Sequence, residues 1–491
     1  MADRSFVTET RQLMALAEGQ ARTGDLAEAA DTYRSVAARH PGVPVGWLQA
    51  ALAARAAGLV DAAEDRLHRA LALEPSLAPA ASLLVVVTAG RSAERRHRAA
   101  AMWAISAPGS AEAVGTLAGS YQQTGRDPLA LAAGRRALSL DPSLGWVRAN
   151  LATVLREQGA REAAVTELRR AALLDPGGGL AWRRLGGLLE VFSDLASAER
   201  VARRALLVDG ADHAASTILA IVERRQGRLR EALERLEALP ERMTGEIGRD
   251  AVEFELGTLR DRLGEPAAAY AHFTRANAAA VARAAPESAD PGSYLSIVSG
   301  FEAAMEPHWI SRWTPIAGAE APVVFMVGFP RSGTTLLDQI LDAHPDVHVI
   351  EEQPVLAGLG ASFSNQTADI PARLAGLGDA QAQQLRAGLE KRLARWGGES
   401  LPRVVVDKMP LNTVYLPLAL RLYPDAKIIL SLRHPCDCCL SCFMQSIRLN
   451  PAMASFTSMD GATALYARIM GSGSASPRAC RPRTRSSATR T

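Results

Sequence analysis

Four stretches in the second half of the sequence place charged or hydroxyl side chains where chemistry could be done. Val323 to Leu337 reads VVFMVGFPRSGTTLL. Its short apolar, β-branched run, bounded by Gly328 and Pro330, predicts a buried parallel strand. Leu336 to Leu341 predicts a helix, so Arg331, Ser332, Gly333, Thr334 and Thr335 fall in a tight loop between the two. That geometry makes an anion site, because free backbone N–H groups and the positive end of a helix dipole meet at one spot. Glu351 and Glu352 end a second apolar run, Val347 to Ile350. Asp407 and Lys408 end a third, Val404 to Val406, and Arg433 follows a fourth, Asp425 to Leu432. Open α/β sheets hold ligands at the carboxyl ends of their strands. A lysine there offsets charge on a transferring group. An arginine offers a phosphate two hydrogen bonds from one planar fork.

Gly328 and Gly333 have the spacing of the first part of a nucleoside-triphosphatase loop, with Thr335 at its Ser/Thr position. Thr334 stands where that loop needs a lysine to reach the outer phosphates. The cation is instead Arg331, inside the loop. GFPRSGTTLL resembles the 5′-phosphosulfate loop of sulfotransferases that use 3′-phosphoadenylyl sulfate (PAPS). The form with arginine is most similar to the tyrosylprotein sulfotransferases and their bacterial relatives. The resemblance implies an α/β P-loop-like domain with a parallel sheet and PAPS as the sulfate donor, without a metal. It implies transfer of a sulfuryl group to a hydroxyl of a protein tyrosine, a peptide or a saccharide. Arg331, Ser332, Gly333, Thr334 and Thr335 would then hold the 5′ end of the donor, and Arg433 with Ser441 its 3′-phosphate. In that family the second acid of a pair, 21 residues after the loop arginine, is the base; here that residue is Glu352, with Glu351 before it. DKMP resembles the family's lysine segment and gives Lys408 a catalytic place beside Glu352 and Arg331.

These elements need a frame, and the first half of the chain supplies a different one. Pro41, Pro75, Pro108, Pro142 and Pro176 stand 33 or 34 residues apart, and Gly210 continues the series. Midway between them lie Gly24, Gly58, Gly125, Gly159, Ser193 and Gly227. The segments between are alanine-rich, with apolar residues at helical spacing. Two helices per 34 residues is the tetratricopeptide (TPR) pattern, an α-solenoid in which each repeat buries its face only on its neighbours. Such arrays present a groove that usually holds a protein or peptide. Trp47, Trp146 and Trp182 sit near the starts of first helices and are expected to pack within the array. The expected division is a repeat array over 1–285, a connector over 286–320 carrying Phe301, Trp309 and Trp313, a sulfotransferase domain over 321–470, and a tail over 471–491.

Composition narrows the classes. The net charge is +3, but five arginines with no acid lie in the last 21 residues, and without them the remainder carries −2. No nucleic-acid footprint follows from that charge. Four of the five cysteines crowd between Cys436 and Cys442, in no common zinc spacing and no disulfide framework for a chain this long. With no signal-like N-terminus and no apolar run near the ~20 residues of a membrane span, the expected location is the cytoplasm. From Gly471 the sequence loses periodicity and apolar residues, which predicts disorder and a transferase domain interrupted near Met470. Two other readings stay open: a non-catalytic TPR interaction protein with a degenerate transferase domain, and a P-loop kinase or NTPase.

Overall fold

The computed structural model describes residues 2–241, 243, 247–304, 323–363, 370–397, 404–480 and 485–488. Trp309 and Trp313 of the expected connector lie outside the described residues, as do 481–484 and 489–491 of the expected tail. The chain divides into two units, Met1–Arg228 and Leu229–Thr491.

The first unit is built of paired antiparallel helices. Pro44–Ala56 and Val60–Leu73 make one pair, and Gly145–Glu157 and Arg161–Leu174 another. Ala50, Ala51, Ala54, Ala63 and Ala70 are fully buried around Leu67. Side chains this small let the crossing backbones approach, so close packing takes the place of large apolar surface. Gly24, Gly58, Gly125, Gly159 and Gly227 all have positive φ, as does Ser193 at 64°. The midway series is therefore the left-handed residue that ends each first helix and lets the second fold back.

The proline series has a counterpart in side chains six residues on. The Trp47 indole donates to the Pro41 carbonyl at 3.0 Å and the Trp182 indole to the Pro176 carbonyl at 3.2 Å. In the intervening repeat Arg148 Nη2 donates to the Pro142 carbonyl at 3.0 Å. Trp47 is buried, whereas Trp146 is 38% exposed and covers Gly115 with one edge of its ring. Trp146 thus packs on the neighbouring repeat with the rest of its ring open to solvent. It stands two residues before the carbonyl-capping position, which Arg148 fills in this repeat.

The second unit carries a parallel sheet in the order β2-β3-β1-β4-β5. The strands are β1 (Val324–Gly328), β2 (Val347–Glu351), β3 (Val404–Lys408), β4 (Ile428–Leu432) and β5 (Arg485–Ala488). All four pairings are parallel. Phe325, Met326 and Val327 are fully buried, as expected of a central strand covered on both faces. One face packs on the helix Gly292–Ala304 and on the turn Pro410–Tyr415 with the helix Leu416–Leu422 that follows it; Phe301 meets Tyr415 edge-on at 6.1 Å between ring centroids. Two further helices, Arg249–Arg262 and Pro266–Arg283, belong to this unit and pack through Phe254 and Phe273 against Phe443. The last helix runs Met459–Cys480, and β5 pairs Leu430 with Ser486. That helix passes the change in composition at Gly471. Among the described residues no helix is long and apolar enough to cross a membrane.

Candidate active site

β1 ends at Gly328, and a side chain there would collide with the Ser431 carbonyl at 2.7 Å and Ser332 Oγ at 2.9 Å. Glycine is therefore required where the loop passes over β4. Arg331 at φ 70° and Gly333 at φ 98° turn the chain into the helix Thr334–Asp342. The first N–H groups of a helix have no partner within it, so these amides face outward with the helix dipole behind them. Ser332 Oγ is buried and has no hydrogen-bond partner among the described residues. The Ser431 hydroxyl donates to the Ser332 carbonyl at 3.0 Å, and the Thr413 hydroxyl to the Gly328 carbonyl at 3.0 Å. The loop is thus clamped from two neighbouring elements, with its donors left over. A bend of this kind, carrying one orphan hydroxyl and one arginine, fits an anionic sulfate or phosphate group.

A cavity of about 380 Å³ opens over this bend. Arg331, Gly333, Thr334, Thr335, Glu352 and Arg433 line it, so six residues expected from the sequence meet at one place. Of the other expected residues, Ser332 and Lys408 are buried and Ser441 is half-buried. Ser441 Oγ accepts a hydrogen bond from Arg331 Nε at 3.0 Å. Arg433 Nε approaches Asp437 at 3.3 Å and its Nη1 donates to the Arg331 carbonyl at 3.4 Å. Besides Pro330 of the loop itself, Met409, Pro410, Leu411, Ile447 and Met453 form the apolar part of the lining. Sequence reasoning missed all five. Met409 and Pro410 were within reach of it, because they directly follow a lysine at a strand's carboxyl end.

Lys408 is fully buried at the end of β3. Its ammonium sits 3.0 Å from carboxylate oxygens of Asp338, Glu351 and Glu352. Burial would lower its pKa, but hydrogen bonds with Asp338, Glu351 and Glu352 outweigh that and raise it. The parallel register sets Glu351 beside Lys408, and the Glu352 amide donates to the Lys408 carbonyl at 2.8 Å. Glu352 itself is held at φ 49°. Among the described residues only Ser193, Arg331 and Glu352 combine a side chain with positive φ. Two of the three line this cavity, in keeping with strained backbone gathering at functional sites.

Asp407, the residue before Lys408, is wholly buried on the other side of the strand. Asn412 Nδ2 donates to its Oδ2 at 3.1 Å, while Oδ1 has no partner among the described residues. Burial pushes its pKa up to about 7. In the helix Pro435–Phe443, Cys438, Cys439 and Cys442 are buried and Cys436 is exposed. Burial pushes the Cys438 thiol up to about 11 and the Cys442 thiol up to about 12, away from thiolate chemistry. His434 caps this helix by accepting from the Cys436 amide, and His344 accepts from the Asp346 amide in a turn.

Residues 322–478 match the sulfotransferase family's model, and this part of the chain is a sulfotransferase-family domain. A putative protein-tyrosine sulfotransferase of Caenorhabditis briggsae is 34% identical over 111 residues, 23% of this chain and 39% of that protein. Human protein-tyrosine sulfotransferase 1 is 32% identical over 118 residues, covering 23% and 32%. Nodulation protein NoeE of Sinorhizobium fredii is 30% identical over 122 residues, covering 23% and 29%. The matched stretch thus spans under two fifths of each of these relatives. Among solved structures, the TPR protein YrrB shares 15% identity at a TM-score of 0.33, covering 40% of this chain and 99% of that one. Yeast Tom70 shares 14% at a TM-score of 0.38, covering 52% and 55%.

Proposed function

We propose that the second unit transfers a sulfuryl group from PAPS to a hydroxyl acceptor: a protein tyrosine, a peptide or a saccharide. The observation that carries this reading is one cavity lined by Arg331, the N-terminal residues of the loop helix, Arg433 and the carboxylate of Glu352. When bound, the donor supplies an activated sulfuryl group on a phosphate leaving group. Arg331 and the amides of Gly333, Thr334 and Thr335 hold its 5′ side, and the orphan hydroxyl of Ser332 gains a partner there. Arg433 holds the 3′-phosphate through its planar fork. Ser441, the expected partner of Arg433 at the 3′-phosphate, also accepts from Arg331 and so steadies the loop arginine. Glu352 takes the proton of the acceptor hydroxyl, with its carboxylate oriented by Lys408. The apolar wall of Met409, Pro410 and Leu411 excludes water beside it. Charge offset and positioning supply most of the rate, as in phosphoryl transfer.

For the repeat array over 1–285 we propose binding of a protein or peptide, which brings an acceptor-bearing partner to the enzyme. A cytoplasmic location accords with the buried, unpaired thiols of the helix Pro435–Phe443.

Calorimetric titration with adenosine 3′,5′-bisphosphate tests the donor site. The expected result is micromolar binding that is lost in Arg433→Ala. Transfer from labelled PAPS to an extract of the host should be lost in Glu352→Gln with bisphosphate binding retained. No binding by the wild-type protein overturns the enzymatic reading in favour of a repeat-based interaction protein. Magnesium-dependent ATP binding would instead favour a kinase or NTPase.

A further inference from the structure

Three consecutive residues at the end of the helix Pro435–Phe443 reach in two directions. Ser441 Oγ accepts from Arg331 Nε at 3.0 Å, and Cys442 Sγ donates to the Pro330 carbonyl at 3.6 Å. Both contacts hold the anion loop. The next residue, Phe443, turns away from the loop and onto the helix Pro266–Arg283. Its ring lies 5.3 Å from Tyr270 and 6.5 Å from Phe273, centroid to centroid. Its carbonyl, left without a partner by the end of its own helix, accepts from Asn277 Nδ2 at 2.9 Å. The same amide nitrogen donates to the Phe273 carbonyl at 3.0 Å, so Asn277 is held on its own helix while it grips the other. Asn277 is buried, so water offers the Phe443 carbonyl no easy replacement.

We propose that Asn277 and Phe273 are positioning residues for the donor site. The helix pair Arg249–Arg262 and Pro266–Arg283, which the sequence counts as part of the repeat array, acts as a buttress of the transferase. It fixes the height of the helix Pro435–Phe443, and through Ser441 and Cys442 it fixes Arg331 and Pro330. A helix-end carbonyl that loses a buried donor shifts or admits water. Here that displacement passes two residues back along a rigid helix to the loop. The role in donor binding rests on the function proposed above; the mechanical link between the two helices and the loop does not.

The test uses the full chain with Asn277→Asp, which keeps size and removes both donors, and Phe273→Leu as a second, milder variant. Adenosine 3′,5′-bisphosphate affinity is expected to fall about tenfold in Asn277→Asp, the effect of losing the one of the two bonds that reaches the Phe443 carbonyl. In turnover, KM for PAPS should rise while KM for the acceptor stays unchanged. Hydrogen exchange, measured well below the melting temperature, should quicken at 330–336 and 435–444 and nowhere in β1 or β3. Unchanged affinity in both variants, or exchange that quickens evenly over the unit, overturns the proposal while leaving the sulfotransferase reading intact. If the wild-type protein binds no bisphosphate, that reading fails, and the exchange pattern alone decides whether the buttress exists.

Discussion

Lys408 Nζ donates to Glu352 Oε1 at 3.0 Å, although 56 residues separate the two in sequence. The ammonium is sealed from solvent, while the glutamate side chain is 56% exposed and faces the cavity. One partner is therefore a buried anchor and the other is open to the cavity. The anchor is shared with Asp338 and Glu351, so three carboxylates depend on a single positive charge.

Lys408→Met should destabilise the second unit strongly, because removing one partner of a buried ion cluster leaves carboxylates facing one another. Losses of about 3–5 kcal/mol are usual for such deletions, and the exposure of Glu351 and Glu352 places this one toward the lower figure. The wild-type contribution has a definite pH window. The Lys408 pKa is raised above its ordinary 10.5, so its stabilisation is present at neutral pH and is lost as pH rises through the folded value. Thermal melts of the two proteins at pH 8 and above pH 10.5 check this: the deficit of Lys408→Met should shrink at the higher pH, where the wild-type ammonium loses its proton.

Asp407→Asn should stabilise the protein above neutrality. The folded-state pKa of Asp407 is pushed to about 7 from 3.8. The folded state therefore binds more proton than the unfolded one between those values, and stability falls as pH rises through that window. Each tenfold difference in proton affinity is worth ~1.4 kcal/mol, so the asparagine variant should gain a few kcal/mol at pH 8 and little at pH 4. Denaturant unfolding at both pH values measures the difference, and equal gains at both would contradict the assignment.

Gly328→Ala should damage the anion loop directly. The added methyl group would meet the Ser431 backbone carbonyl at 2.7 Å, and backbone cannot rotate away. Overpacking of this kind costs about 1–3 kcal/mol. The relief available is to lift the loop, so bisphosphate affinity should fall along with the melting temperature. Calorimetry and a thermal melt on the same sample read both.

Ser193→Gly should stabilise the repeat unit. Ser193 takes φ 64° where the equivalent positions Gly58, Gly125, Gly159 and Gly227 are glycine. Relief of the left-handed strain is worth about 1 kcal/mol, set against an exposed hydrogen bond from Arg225 Nη2 at 2.9 Å that would be lost. A net gain of about 0.5 kcal/mol follows, visible as a rise of one to a few degrees, ~2 °C, in the melting temperature.

Much of this protein is written in local pattern. The 34-residue punctuation determined the helix pairs, because a left-handed glycine and a helix-breaking proline act within a few residues of chain. The run from Val323 to Thr335 determined strand, bend and helix start for the same reason. The carboxyl ends of the strands at Glu351, Lys408 and Arg433 were equally legible, since an apolar run that stops at a charge marks where a buried strand meets the site. What tertiary structure alone decided is how these ends face one another. The strand order β2-β3-β1-β4 set Glu351 against Lys408 and turned the lysine into a buried anchor. It also sent Ser441 under Arg331, and it brought Asn277 to a carbonyl 166 residues away. No periodicity encodes such pairings, because they depend on which surfaces close on each other once the sheet has formed, and that is settled by packing over distances the local sequence does not span.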